Sequence, residues 1–190
     1  MGMPVQTPER WTAVAVRQLI ADSPGATRHE LVDGELLVTP SPTPRHQMAV
    51  KLLLVALSEY CERVGVGEAL TSPSDIGLDA EDVRQPDVYV LPRDEWIRIR
   101  DAGFPAYRLL LAIEVLSPSS ARFDRVVKRP EYQRAGCEYW IVDLDARVVE
   151  RWRPGDARPE VVAEVLTWTP PGVVAGFELS LPAFFARVFR

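Results

Sequence analysis

Three charged side chains stand where charge is either costly or scarce. The run Leu109 to Val115 is apolar at nearly every position, as a strand covered on both faces must be, yet it contains Glu114. An ionised carboxylate there is strongly disfavoured unless a cation or hydrogen-bond donors compensate it. Asp87 follows Pro86 and starts the apolar run Val88-Tyr89-Val90-Leu91, where a strand end can present a side chain to a cleft. Two acids on neighbouring strands offer oxygen-only ligation, which suits Mg²⁺ or Mn²⁺ completed by water and phosphate oxygens. The third residue is Lys128, one of two lysines against twenty arginines. A compact ammonium can approach an attacking water or a phosphoryl oxygen, and burial tunes its pKa as it cannot tune arginine's. The chemistry these three suggest is metal-assisted hydrolysis of a phosphate ester.

Asp124, Lys128 and Tyr132 are four apart, so on a helix they share one face that could overlook the Glu114 strand. Arg122, Arg125, Arg129 and Arg134 surround it; residues 121–136 carry five basic and two acidic side chains, a local excess able to meet a few phosphates. Blander readings compete: a turn residue for Asp87, a solvated helix face for Lys128, ordinary ion pairs for all three. His46 and Arg45, at the start of a helix, could contact an anion or serve at a cap. Glu30, placed opposite Glu35 across a hairpin, is either a third acid or a cross-strand partner for Arg28. The two histidines, His29 and His46, form no metal-binding pair and no Cys-x-x-Cys occurs, so zinc is disfavoured.

The elements that must hold these residues are legible in outline. A first helix is expected over residues 8–21, opened by Pro8-Glu9 and closed near Pro24-Gly25. Asp33-Gly34 between His29-Glu30-Leu31-Val32 and Glu35-Leu36-Leu37-Val38 predicts a hairpin with a two-residue turn. A Pro-rich segment, residues 39–44, feeds an amphipathic helix through Val50, Leu53, Leu57, Cys61 and Val64, stopped at Gly65. Strands are expected at 68–71, 76–78, 87–91 and 109–116, with a short helix over 94–102. A helix from Pro118 to Arg134, stopped at Gly136, then leads to the strand Tyr139–Val142, forming a strand–helix–strand unit. Pro130 should kink that helix. Further strands fill 148–152, 161–168 and 177–181, and a helix over 183–189 follows.

The 190 residues are 47% hydrophobic and 26% charged, the balance of a globular protein, which predicts one domain over residues 1–190 and excludes a disordered or collagen-like chain. A net charge of −5 excludes a basic surface that grips nucleic acid everywhere. Cys61 and Cys137 are too few for a disulfide scaffold. The start, Met1 to Val5, is no signal peptide, and the longest apolar run, Leu52 to Leu57, is too short to span a membrane. A cytoplasmic protein with no membrane partner is expected.

The order of Glu30-Leu31-Val32-Asp33-Gly34-Glu35-Leu36, Ser41-Pro42-Thr43-Pro44-Arg45-His46-Gln47, Gln85-Pro86-Asp87-Val88, Glu114-Val115-Leu116-Ser117-Pro118-Ser119-Ser120, Asp124…Lys128…Tyr132 and Ala135-Gly136-Cys137-Glu138-Tyr139-Trp140-Ile141-Val142-Asp143 resembles the Uma family. That family of restriction-endonuclease-like proteins lies in the PD-(D/E)XK nuclease superfamily, and the resemblance runs from about residue 28 onward. It implies an α/β restriction-endonuclease-like core, a mixed central sheet flanked by helices, with Asp87 and Glu114 as metal-binding acids. The superfamily's lysine two residues after the second acid is replaced here by Leu116; the resemblance implies a lysine moved to the following helix, at Lys128. It also makes Glu30 the acid that completes the metal shell. The activity implied is a Mg²⁺- or Mn²⁺-dependent endodeoxyribonuclease. In it Lys128 orients or deprotonates water, and Tyr132, Arg125, Arg129 and His46 hold the substrate; a homodimer would cut both strands. A catalytically inactive nucleic-acid-binding or regulatory module on the same fold is the alternative, and a purely structural, partner-binding protein is a third.

Overall fold

The computed structural model describes residues 10–22, 28–32, 34–39, 42–78, 83–117 and 120–190. The expected helix boundaries at Pro8-Glu9 and Pro24-Gly25, the turn residue Asp33, Pro40-Ser41 and the Pro118-Ser119 lead-in lie outside the described residues.

A six-stranded mixed sheet forms the centre, in the spatial order β3 (Gly67–Thr71), β4 (Val88–Pro92), β5 (Leu111–Val115), β6 (Glu138–Asp143), β7 (Val148–Trp152) and β8 (Glu160–Val162). All neighbours are antiparallel except β5 and β6, which are parallel and therefore need a crossover through residues 116–137. Every residue of β5 is buried, as its apolar sequence requires.

Side chains alternate across the sheet, and each face has its own cover. Val88, Val90, Leu111, Ile113, Trp140 and Val142 pack against the long helix α2 (Pro44–Val64) and the C-terminal helix α6 (Leu181–Val188). Tyr89, Leu91, Ala112, Tyr139 and Ile141 pack on the opposite face with Ile99 of α3 (Arg93–Ala102) and Tyr132 of the crossover helix. Glu114 is in phase with Ala112, so it belongs to this second face.

Helix α2 is fixed at both ends. Its start is capped by Thr43, whose hydroxyl accepts the His46 amide at 3.3 Å, and Pro44 occupies the first turn. Its end is Gly65 at φ 68°, whose N–H reaches the Cys61 carbonyl. Among the described residues no helix is long and apolar enough to cross a membrane.

Several elements differ from the sequence expectation. Helix α1 spans Ala13–Asp22, beginning where the Thr12 hydroxyl accepts the Ala15 amide. In the hairpin β1 (Arg28–Val32) and β2 (Glu35–Thr39), the two-residue turn pairs Val32 with Glu35, so Glu30 lies opposite Leu37 and not Glu35. Residues 76–78 make no strand: Ile76 forms isolated bridges to Arg84 and Ala106. The run expected over 161–168 splits, because β9 (Val165–Trp168) leaves the main sheet to pair with β10 (Phe177–Ser180).

The crossover helix is also not uniform. An α-turn, α4 (Ala121–Phe123), passes into a π-turn over Asp124–Lys128 and then into α5 (Arg129–Arg134). In a regular α-helix the Pro130 ring would press on the Val126 carbonyl and its missing N–H would leave that carbonyl without a partner. The wider turn, closed by the Arg129 amide on the Asp124 carbonyl, accommodates the ring.

Candidate active site

The antiparallel register of β4 and β5 pairs Val88 with Ile113, so Asp87, one step before β4, arrives beside Glu114. Its Oδ2 accepts the Val115 amide at 2.8 Å, which ties the strand-end acid to β5. Glu114 points into the layer under the crossover helix, and from that helix Lys128 reaches down to it, Nζ to Oε1 2.9 Å. Glu30 arrives from the hairpin, its Oε2 2.8 Å from the same ammonium and its Oε1 accepting the Gln85 amide at 3.0 Å. Asp124, one turn before Lys128, lies 3.4 Å from Nζ, so the π-turn keeps the two on one face. Three carboxylates from three elements thus converge on one ammonium. Lys128 and the four acids Glu30, Asp87, Glu114 and Asp124 are each at most 4% exposed.

His46 reaches the cluster from the other face of the sheet. The capped first turn of α2 sets its Nε2 3.1 Å from Asp87 Oδ2, and its side chain is 13% exposed. Placed at sequence level as an anion contact, it instead braces an acid. Arg84 and Glu131 carried no signal in the sequence. Buried Arg84 donates to the Leu31 carbonyl of the hairpin and pairs with Glu131 of α5, its Nε 2.7 Å from Oε2. This contact locks together the two elements that deliver Glu30 and Lys128. Nothing local marks such a pair, because its members lie 47 residues apart.

The remaining expected substrate contacts are placed elsewhere. Tyr132 is fully buried and stacks on Tyr139, ring centroids 4.8 Å apart, so it has no surface with which to touch a nucleic-acid backbone. Burial, with Glu114 and Glu30 nearby, pushes its hydroxyl well above the ordinary tyrosine range. Arg125 is held by Glu150 at 2.6 Å and Asp143 at 3.4 Å. Arg129 lies over the Trp152 ring at 4.6 Å and donates to Gln133.

Among the described residues the cluster holds four buried carboxylates and one buried ammonium, which contacts Glu30, Glu114 and Asp124, while Asp87 meets His46. Buried Arg84 pairs with Glu131. Burial pushes the Asp124 carboxyl above the ordinary carboxylate range, against the pull of the Lys128 charge and a Ser120 hydrogen bond. The donors that these acids offer are all oxygens, a set that would fit Mg²⁺ or Mn²⁺. Among the described residues no three His, Cys, Asp or Glu side chains are grouped as a ready-made metal cage. A fit therefore relies on one or two carboxylates plus water or phosphate oxygens, the usual habit of Mg²⁺.

The Uma2 profile, whose description is "putative restriction endonuclease", matches residues 15–182. The match begins within α1, earlier than the residue 28 expected from the sequence blocks. Among solved structures, one similar chain is described as a "putative nuclease belonging to DUF820" from Anabaena variabilis. It aligns with a TM-score of 0.66 and 20% identity over 84% of this chain and 90% of that one, which shows a shared fold. No curated protein matches. With a profile match spanning the hairpin, both strand acids and the crossover lysine, the chain belongs to the Uma2 family of restriction-endonuclease-like proteins.

Proposed function

We propose that the chain is a Mg²⁺- or Mn²⁺-dependent endonuclease that hydrolyses phosphodiester bonds in DNA. One observation carries this reading: Lys128 is held, almost fully buried, 2.8 Å from Glu30 and 2.9 Å from Glu114, in a cluster that also buries Asp87 and Asp124. The superfamily's usual lysine position is Leu116, so an ammonium delivered to the same acid from the next helix supports the relocated arrangement.

Asp87 and Glu114 would hold the cation, and Glu30 would complete its shell. When bound, the cation supplies a Lewis acid and a lower pKa for water. The chain's own residues do the rest. Val115 N–H and His46 hold the Asp87 carboxylate through Oδ2 and so fix its orientation. Lys128, positioned by Glu30 and Glu114, donates to the attacking water and holds its lone pair toward phosphorus. The Arg84–Glu131 pair keeps the hairpin and crossover helix in register, so that Glu30 and Lys128 meet. Cutting both strands of a duplex would call for two copies, and a homodimer belongs to this proposal.

The test is conversion of supercoiled plasmid to nicked or linear DNA by the full chain in Mg²⁺ and in Mn²⁺. Activity lost in Glu114→Gln with the melting temperature retained supports the reading; equal activity in variant and wild type would falsify it. Binding without cleavage is the second reading. It is favoured by the way the acids in this conformation converge on the ammonium and form no ready metal cage. DNA bound tightly but left intact in both metals decides for it.

A further inference from the structure

A second cationic feature lies at the same end of the sheet, outside the acid cluster. Two guanidiniums from opposite halves of the chain sit over one aromatic ring: Arg45 is 5.0 Å and Arg147 is 4.7 Å from the centroid of Phe189. Arg45 and Arg147 are exposed and Phe189 is half-buried. Among the described residues neither guanidinium lies within ion-pair distance of a carboxylate; the ring is their recorded partner. Two like charges held on one ring repel each other, and among the described residues no carboxylate pairs with either, although the net charge is −5. Some exposed arginines pair with acids, as Arg108 does with Asp94 and Arg153 with Glu160, whereas here two guanidiniums share one ring.

Position relates this pair to the acids. Arg45 immediately precedes His46, whose ring touches Asp87. Arg147 lies in the turn between β6 and β7, and because β5 and β6 are parallel, that turn leaves the sheet at the same end as the residues following Glu114. The turn itself is fixed. Asp143 Oδ1 accepts the amides of Asp145 and Ala146 at 3.1 and 2.9 Å, and Arg147 then takes φ 55°, the one positive φ outside glycine among the described residues. A β-carbon disfavours that conformation, and glycine or asparagine is the usual occupant. An arginine kept in a position suited to glycine, with its charge unpaired and its stem directed over Phe189, points to the charge itself as the reason.

We infer that Arg45, Phe189 and Arg147 form a platform for the phosphodiester backbone of the nucleic acid, holding phosphates that flank the one presented to Asp87 and Glu114. Guanidiniums match phosphate oxygens bidentately, and stacking on the ring holds both forks ready without closing either with a carboxylate. The platform adds exposed phosphate contacts to a site whose Tyr132 is fully buried and whose Arg125 is paired with Glu150 and Asp143. This inference rests on the nucleic-acid substrate of the proposed function, though not on cleavage.

The test is binding of a short fluorescent DNA duplex by the full chain without added metal, followed against salt concentration. Arg147→Gly removes the charge at a backbone position that glycine prefers, so the fold is kept; Arg45→Gln removes the other, and Phe189→Leu removes the ring while leaving an apolar side chain. Arg158→Gln, an exposed arginine beyond the opposite end of the β6–β7 ladder, is the control. Each guanidinium that meets a phosphate contributes about 0.9 to the slope of log affinity against log salt. Arg147→Gly and Arg45→Gln should each lower the slope by about that amount and weaken binding several-fold, and Phe189→Leu should weaken it with less change in slope. Slopes for both arginine variants equal to the control overturn the platform while leaving the nuclease reading standing. A wild-type chain that binds no duplex at low salt overturns both. Normal platform behaviour with no cleavage in any metal upholds the platform and rejects the nuclease.

Discussion

Replacing Lys128 by Met keeps the length of the side chain and removes its charge, leaving Glu30, Glu114 and Asp124 gathered around an apolar tip. Breaking one buried ion pair by removing a partner costs about 3–5 kcal/mol, because the surviving charge stays buried without compensation. Here three carboxylates within 3.4 Å lose the same ammonium, so that range is the least to expect. For a domain of this size each kcal/mol corresponds to about 2–4 °C, which gives a fall in melting temperature of about 6–20 °C at pH 7. The pH dependence has a definite sign. Burial raises Asp124 above its ordinary value of 3.8, and loss of the neighbouring positive charge raises it further. The folded state therefore binds the proton more tightly than the unfolded state. Stability present below the ordinary value is lost as pH climbs through the folded one. The deficit of Lys128→Met should accordingly be largest near neutrality and shrink on acidification, and adding Asp124→Asn should recover part of it. Mn²⁺ should raise the melting temperature of the variant more than that of the wild type, since a cation bound to the native state at a hundred times its Kd adds about 2.7 kcal/mol. Differential scanning fluorimetry across pH and Mn²⁺ concentration reads all of this. A variant melting within about 2 °C of wild type at pH 7 would refute the claim that the ammonium holds the acids together.

Two further perturbations probe the frame around the site. Glu95 is buried and accepts from Arg98 at 2.7 and 3.2 Å and from the Tyr107 amide at 2.7 Å. Burial alone would raise its pKa, yet the Arg98 and Tyr107 hydrogen bonds and the Arg98 and Arg108 charges bring it below the ordinary 4.5. Glu95→Gln should cost about 1.5–3 kcal/mol at pH 7. Because the wild-type benefit is complete above pH 4.5 and fades as pH falls through the lower folded value, melting curves of the two proteins should converge in acid; a constant gap argues against a charged role. Gly67→Ala would place a β-carbon 1.8 Å from the Leu91 carbonyl oxygen, where β3 pairs with β4. A loss of about 1–3 kcal/mol is expected from this overpacking, read as an urea-midpoint shift, and an unchanged midpoint would show that β3 can move aside freely.

Part of the site was legible because some residues violate their local context. Glu114 announced itself as a charge inside β5, Lys128 as a lysine among arginines, and the i, i+4 spacing of Asp124 and Lys128 placed them together correctly. The two-residue hairpin turn was legible too, yet Glu30 was matched with the wrong partner, since a two-residue loop pairs Val32 with Glu35 and moves Glu30 opposite Leu37. The burial of Tyr132 was missed because a helix face that looks over a strand also packs onto it. His46 on Asp87 and Arg84 on Glu131 join segments 41 and 47 residues apart, and contacts at such separation leave no periodic trace in either segment. The split between β8 and β9 went unread for a related reason: an alternating strand pattern continues across a change of partner.

The π-turn at Asp124–Lys128 carries one residue more than the α-helix it interrupts would need. An α-helix advances about 100° per residue, and the wider turn absorbs the additional residue, so the helix on either side keeps its phase. The same residue is what lets Pro130 sit without pressing on the preceding turn, so chain length is constrained here as well as residue type. Deleting a single residue between 124 and 129 would leave the flanks in phase but return the proline to a regular α-helix, where its ring presses on the carbonyl four residues before it, and the strain would fall on the segment that carries Lys128.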